Sequence, residues 1–186
     1  MKLHYSFLLL PVFAFLSSCG SVSKFSPSNA QTTAPASGYT KVIVKNFTHS
    51  ISDVKVQSKV DLAQKTVADN IASEIIKTGQ FTSVSRSGKP DASTLVIGGN
   101  IDKYNDGNAA LRLVVGFGAG SSEFNATATF SDGKSGKSLG TIVADKNSWA
   151  LGGGIAATQD ADSFIPSVSK HIAKETAAKF GKKTAP

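Results

Sequence analysis

The chain predicts an α+β domain: a mixed, mostly antiparallel sheet of about five to six strands with two helices packed on one face. Three observations carry that prediction. Residues 61–77 place Ala63, Val67, Ile71 and Ile75 at helical spacing. Residues 123–131, EFNATATFS, alternate apolar and polar side chains, as a half-buried antiparallel strand does. The order of elements is strand, helix, several strands, helix, which suits two helices layered on a sheet.

Taken in order, Thr40–Phe47, TKVIVKNF, is a β-branched run and the first strand. Ile51–Val56 reads as a short edge strand or a loop. Asp61 is the expected N-cap of the first helix, with Gln64 as its capping-box partner. Ile76 widens the apolar stripe of that helix, and Thr78-Gly79 ends it, glycine suiting the left-handed position after the last turn. Phe81–Ser85 is a second strand, and residues 86–91 are a loop. Ser93–Tyr104, STLVIGGNIDKY, is a third strand whose Gly98-Gly99 points to a bulge or a close backbone approach. Asp106-Gly107-Asn108 is a turn. Ala110–Phe117, ALRLVVGF, is expected as a fourth strand running into Gly118-Ala119-Gly120.

In the next strand Phe124, Ala126, Ala128 and Phe130 share one face, and Asn125, Thr127 and Thr129 the other. Asp132–Lys137, DGKSGK, is hairpin chemistry, and Leu139–Asp145 returns as its partner. Trp149–Ala157, WALGGGIAA, is glycine-rich and stays unassigned. Asp162 or Ser163 caps a last helix with Pro166 in its first turn. Its stripe is Ile165, Val168, Ile172, Thr176 and Phe180, and Gly181 stops it. Residues 182–186 are a basic tail.

The start of the chain sets its address. Lys2 is a positive n-region, and Phe7–Leu16 is an apolar run broken only by Pro11. At about ten residues it is long enough for a signal-peptide core and too short to span a bilayer. Leu16-Ser17-Ser18-Cys19-Gly20 follows, and this resembles the lipobox of bacterial lipoproteins. There the cysteine thiol takes a diacylglyceryl group, the chain is cut before the cysteine, and the new amine is acylated. The alternative is an ordinary secretory signal with a chance cysteine, but Cys19 is the only cysteine in the chain and stands where the lipobox requires it. In the lipoproteins it resembles, aspartate after the cysteine favours retention in the inner membrane. Gly20 and Ser21 stand here instead, which implies the outer membrane with the domain on the periplasmic side.

The expected organisation is therefore a signal peptide at 1–18, a lipidated Cys19 with a flexible Ser/Pro/Ala-rich tether at 19–39, a single α+β domain at 40–181, and the tail. The tether, with almost no large apolar side chains, lacks the surface to order itself.

Lysine and arginine total 20 against 13 acids, a net charge of +7. That excess suits an anionic surface such as lipid headgroups, lipopolysaccharide or peptidoglycan, although many soluble domains are simply basic. Nucleic acid is not an expected partner, because the address is extracytoplasmic and no basic cluster is interleaved with aromatics. With Cys19 acylated no thiol remains for a disulfide or a metal.

No stretch carries a complete reaction centre. Gly116-Phe117-Gly118-Ala119-Gly120 lacks the third glycine of a dinucleotide fingerprint and no helix pattern follows it. It reads as a bent segment that needs small residues, with Gly116, Gly118 and Gly120 as candidates for close packing or, beside Gly152-Gly153-Gly154, for self-association or membrane contact. Residues 133–138, GKSGKS, end like a P-loop, but Ser131 stands where that motif needs glycine, so a turn is expected. His49 and His171 are too scattered to bind metal, so neither a metal nor a cofactor is expected. Arg112 is expected to pair with Glu123 across a hairpin. Trp149 is a core residue or a ligand or membrane contact.

The segments LVIGGNIDKYNDGN (95–108), ALRLVVGFGAGSSEF (110–124) and FSDGKSGKSLGT (130–141) resemble a family of bacterial lipoproteins defined as domain of unknown function number 4410. There a glycine, a branched residue and a tyrosine precede a Gly-Asn turn. A strand containing arginine then leads into Gly-Phe-Gly-Ala-Gly, and an Asp-Gly-Lys hairpin follows. The likeness runs from about Thr40 to Phe180 and is most specific at Leu111–Gly120. It implies fold and address and no activity.

The functional expectation is a membrane-anchored envelope lipoprotein, held by Cys19, that serves as a non-catalytic structural or interaction module. Its partners would be an envelope protein or further copies of itself. The alternative is a periplasmic small-ligand binder or enzyme using an acidic site near Asp102, Asp106 and Asp132.

Overall fold

Eight strands form one mixed sheet in the computed structural model, which describes residues 20–28, 38–115, 119–148 and 159–182, with Arg112 and Leu113 as backbone. In chain order these are β1 (Gly20–Val22), β2 (Ser26–Pro27), β3 (Lys41–Val44), β4 (Thr48–His49), α1 (Gln57–Lys77), β5 (Ser83–Ser85), β6 (Thr94–Asn105), α2 (Ala109–Val114), β7 (Glu123–Asp132), β8 (Ser138–Asn147) and α3 (Ile165–Phe180). A 3₁₀ turn, Asp162–Phe164, leads into α3. The sheet runs β1-β8-β7-β6-β3-β5, with β2 also on β8 and β4 also on β6. β3, β4 and β5 pair in parallel; β6, β7, β8 and the two N-terminal strands pair antiparallel.

The expected α+β class and mixed sheet hold, but the sheet is larger than five or six strands and a third, short helix is present. The core is a single apolar layer. Phe124, Ala126, Ala128 and Phe130 are all buried on one face of β7, as their alternation requires. Leu95, Ile97 and Ile101 extend that face across β6. Val60, Ala63, Val67, Ile71 and Ile75 of α1 and Ile165, Val168, Ile172, Thr176 and Phe180 of α3 cover it. Gly79 takes φ +64° to end α1, as its position predicts. Gly99 answers to a close approach: a Cβ there would lie 2.3 Å from the Thr127 carbonyl and 2.4 Å from the buried Phe47 ring.

Five expectations change. Asp61 does not start α1, which begins at Gln57. The Asp61 carboxylate is instead 2.9 Å from Nε2 of His49, and the Asp53 carboxylate accepts from the Lys55 amide to turn the chain into the helix. Ile76 is 61% exposed and does not widen the stripe. The break in β6 register falls between Ile101 and Lys103, not at Gly98-Gly99, and it leaves both Asp102 and Lys103 facing out while Tyr104 turns in. The expected strand Ala110–Phe117 is helical over its described part: Ala109–Val114 is α-helix, with the Asn108 side chain accepting from the Leu111 amide as an N-cap, and residues 116 and 117 lie outside the described residues. A short apolar run of this kind has no periodicity to separate helix from strand.

The fifth change is the expected tether. Gly20–Ser28 lies along the outer edge of β8, and residues 29–37 fall outside the described residues. Phe25 is the reason. Its ring packs edge-on against Phe130 at 5.4 Å and against Phe180 at 5.1 Å, and one aromatic anchor of this kind offsets the cost of ordering a polar segment. Two glycines give it room. A Cβ on Gly140 would lie 2.5 Å from the Phe25 ring, and one on Gly20 would lie 2.3 Å from the Asp145 carbonyl.

Candidate functional site

The strand registers give the sheet two ends. β6 and β7 pair from Leu95↔Asp132 at one end to Asn105↔Glu123 at the other. Glu123 in turn faces Asn147, and Gly20 faces Lys146. The start of β1, the end of β8, the start of β7 and the end of β6 therefore share one end, and Cys19 is joined by a single peptide bond to Gly20 there. Cys19 itself lies outside the described residues. We call this the N-terminal end of the sheet.

Residues 106–115 and 119–122 meet at that end. The Asn108 amide donates to the Gly120 carbonyl at 2.8 Å, and Gly120 has φ +68°. A Cβ on Gly120 would lie 2.6 Å from the Asn108 carbonyl and 2.9 Å from Cβ of Leu111, so close packing of this segment against α2 is what this glycine serves. Gly116, Gly118, Trp149 and Gly152–Gly154 lie outside the described residues. The short helix turns its apolar side chains outward: Leu111 is 46% exposed, Val114 82% and Val115 53%.

At the same end, a serine pair that sequence reasoning did not single out joins three segments. The Ser148 amide donates to the Ser122 carbonyl, the Ser122 amide to Oγ of Ser148, and Oγ of Ser122 to the Gln159 carbonyl. Both serines are buried, so these bonds satisfy groups that would otherwise cost stability. Lys59 reaches from α1 to the Asp106 carboxylate at 2.5 Å. That contact raises the Lys59 ammonium above its ordinary range, with Asp162 and Asp160 adding to it. Burial first, and then the Asp162 carboxylate, push the Tyr104 phenol up.

The three carboxylates of the expected acidic site do not converge. Asp132 lies at the far end of the ladder from Asp106, nine register positions and roughly 30 Å away at ~3.4 Å per residue. Asp132 accepts from the Tyr39 hydroxyl at 3.0 Å and from both the amide and hydroxyl of Ser135, so it serves the β7–β8 turn. Asp102 faces outward from mid-sheet and accepts from Asn100 and Thr127. Each acid is occupied by its own neighbours. Glu123 pairs with Lys103 at 2.7 Å across the β6–β7 ladder; its expected pairing with Arg112 lies outside the described residues, because the Arg112 side chain is not described. The GKSGKS stretch is the tight β7–β8 connection, closed by the Gly136 amide on the Asp132 carbonyl.

Among the described residues no three His, Cys, Asp or Glu side chains converge as metal ligands. No described helix is long and apolar enough to cross a membrane. A shallow groove of about 280 Å³ runs between α1 and α3 at the end of the sheet away from Cys19. Lys77, Lys170 and Lys174 line it with Glu74, Ala173 and Ala177, and Lys77 pairs with Glu74.

These features define an α+β domain with a mixed sheet and two covering helices. The chain belongs to the family described as domain of unknown function DUF4410, whose model matches residues 42–152. No curated protein matches it. Among solved structures it is similar to the PelC dodecamer from Paraburkholderia phytofirmans. The likeness has a TM-score of 0.52 at 14% identity, covering 84% of this chain and 96% of that one. A point variant of the same PelC gives 0.51, also at 14% identity. A DUF330-family protein from Xanthomonas campestris gives 0.48 at 10% identity, covering 82% of this chain and 93% of that one. The PelC likeness bears on the fold alone.

Proposed function

We propose that this protein is a lipid-anchored envelope lipoprotein on the periplasmic side of the outer membrane, acting as a non-catalytic structural or interaction module. One observation carries the reading. The sequence Leu16-Ser17-Ser18-Cys19 stands one residue before the first strand of the domain. A chain cut before Cys19 would begin at the sheet edge and keep every described residue. Burial contributes about 0.8 kcal/mol per methylene, and two acyl chains already give stable attachment. The separate neighbours of Asp102, Asp106 and Asp132 favour this reading over the enzyme or small-ligand alternative. As partners we propose an envelope protein or further copies of this chain; the dodecameric state of the PelC structures supports the second.

Growth with labelled palmitate tests the anchor. The wild-type protein is expected to carry label and to sediment with outer membranes on a density gradient. Cys19→Ser is expected to lose the label. An unlabelled wild-type protein at its uncleaved mass would refute lipidation. Light scattering on the detergent-solubilised protein tests self-association.

A further inference from the structure

The sheet topology puts the lipid attachment point and the exposed apolar helix at the same end of the domain. Gly20 pairs with Lys146, two strands from the start of β7 and three from the end of β6, which launches α2. At ~4.8 Å per strand, β1 and the end of β6 are about 14 Å apart. Only one peptide bond, about 3.8 Å between Cα atoms, separates Gly20 from Cys19. The β1 edge is moreover pinned to β8 by three register pairs and by Phe25 packed against the core. An acylated Cys19 therefore stays close to this end of the sheet. Val114 is 82% exposed and stands three and one positions from Leu111 and Val115, which are also exposed.

We propose that α2 is the surface on which the domain rests on its membrane, with Leu111, Val114 and Val115 seated in the boundary between headgroups and acyl chains. This rests on the lipoprotein reading above. The occupant is lipid rather than a second copy, because the anchor geometry delivers a bilayer to this end whatever else the protein binds. The contact is carried by the exposed apolar side chains of Leu111, Val114 and Val115, so zwitterionic lipid suffices. The groove lysines and the turn lysines Lys134 and Lys137 then face away from the bilayer.

The single native cysteine makes the test clean, since acylation consumes its thiol. Val114→Cys and Lys137→Cys each give the mature lipoprotein one free thiol, at opposite ends of the sheet and at exposed positions. Each is labelled with an environment-sensitive fluorophore and reconstituted in phosphatidylcholine vesicles carrying nitroxide lipids. A probe at 114 that loses most of its emission, with a probe at 137 unaffected, is the expected result. With lipidation confirmed by mass, quenching at neither site, or at 137 alone, overturns the proposal. Excimer emission between pyrenes at 114, without lipid quenching, assigns this face to a second copy and overturns it as well. A free Cys19 thiol by mass defeats the anchor reading itself, and the mass measurement tells that failure from the others.

Discussion

The two ends of the sheet are built on different terms. Away from Cys19, the end is closed by rings. Tyr39, Phe25 and Phe130 all meet Phe180, with centroids 5.1 to 5.9 Å apart, and the Tyr39 hydroxyl is tied to Asp132. At the Cys19 end the ring pair of Tyr104 and Phe124 is buried, but beside it stand a polar network of Ser122, Ser148 and Gln159 and a short helix that exposes its apolar side chains. The first end consumes its hydrophobic surface in folding; the second leaves some unspent. Stability should therefore reside at one end and contact with other molecules at the other.

That contrast can be broken most severely at Phe130. It is fully buried and shared by Phe25 and Phe180, so Phe130→Ala should lose about 3–5 kcal/mol of stability, read by urea denaturation. A loss below about 1 kcal/mol would mean the ring cluster is not the seat of stability. Phe25→Ala should cost about 2 kcal/mol, since the ring is half-buried and its two edge contacts contribute beyond area. Hydrogen exchange adds a local signature. The Ser23 amide donates to the Val143 carbonyl and the Val143 amide to Oγ of Ser23, so both should exchange faster in Phe25→Ala. Unchanged protection would show that residues 20–28 hold to β8 without the ring.

Tyr39→Phe should cost about 1 kcal/mol by removing the hydroxyl that donates to Asp132. It should also alter the pH dependence. Burial, and then Asp132, raise the Tyr39 phenol above the value of about 10 it has in an unfolded chain. Its contribution is thus complete below about pH 10 and is lost as pH rises through the folded value. The alkaline fall in the urea midpoint should be shallower in Tyr39→Phe. Asp132 works in the opposite sense. The Ser135 hydroxyl, foremost, and then its amide lower the carboxyl, so its contribution is present above about pH 4 and fades as pH falls through the folded value. The smallest effect belongs to the other end: Val114→Ser should change stability by less than about 0.5 kcal/mol. A larger loss would place Val114 in the fold and not on a contact surface.

Much of the fold is legible in the chain because its signals are local. The alternation of residues 124–130, the helical spacing from Ala63 to Ile75 and from Ile165 to Phe180, and the Asp-Gly-Lys turn each follow from neighbouring residues. What stayed hidden is non-local. Asp61 has the chemistry of a cap but binds His49 instead. Thr48–His49 pairs with β6 only because that strand passes alongside. The candidate site was the least legible part. Asp102, Asp106 and Asp132 lie within thirty-one residues, yet the fold gives each a different place and different partners.

The sequence by itself determined the α+β class, the helix that ends at Gly79, the strand that buries Phe124 to Phe130, and the family likeness. Each rests on side chains whose spacing matches a backbone period, which any close neighbourhood in the chain reveals. Only the tertiary structure decided that Gly20–Ser28 is an edge of the sheet rather than a tether, and that its first residue shares an end with α2. Both depend on Phe25 meeting Phe130 and Phe180, more than a hundred residues away, and on Gly20 and Gly140 letting two backbones come within reach. Such a contact exists only once the sheet has formed, so no local pattern announces it.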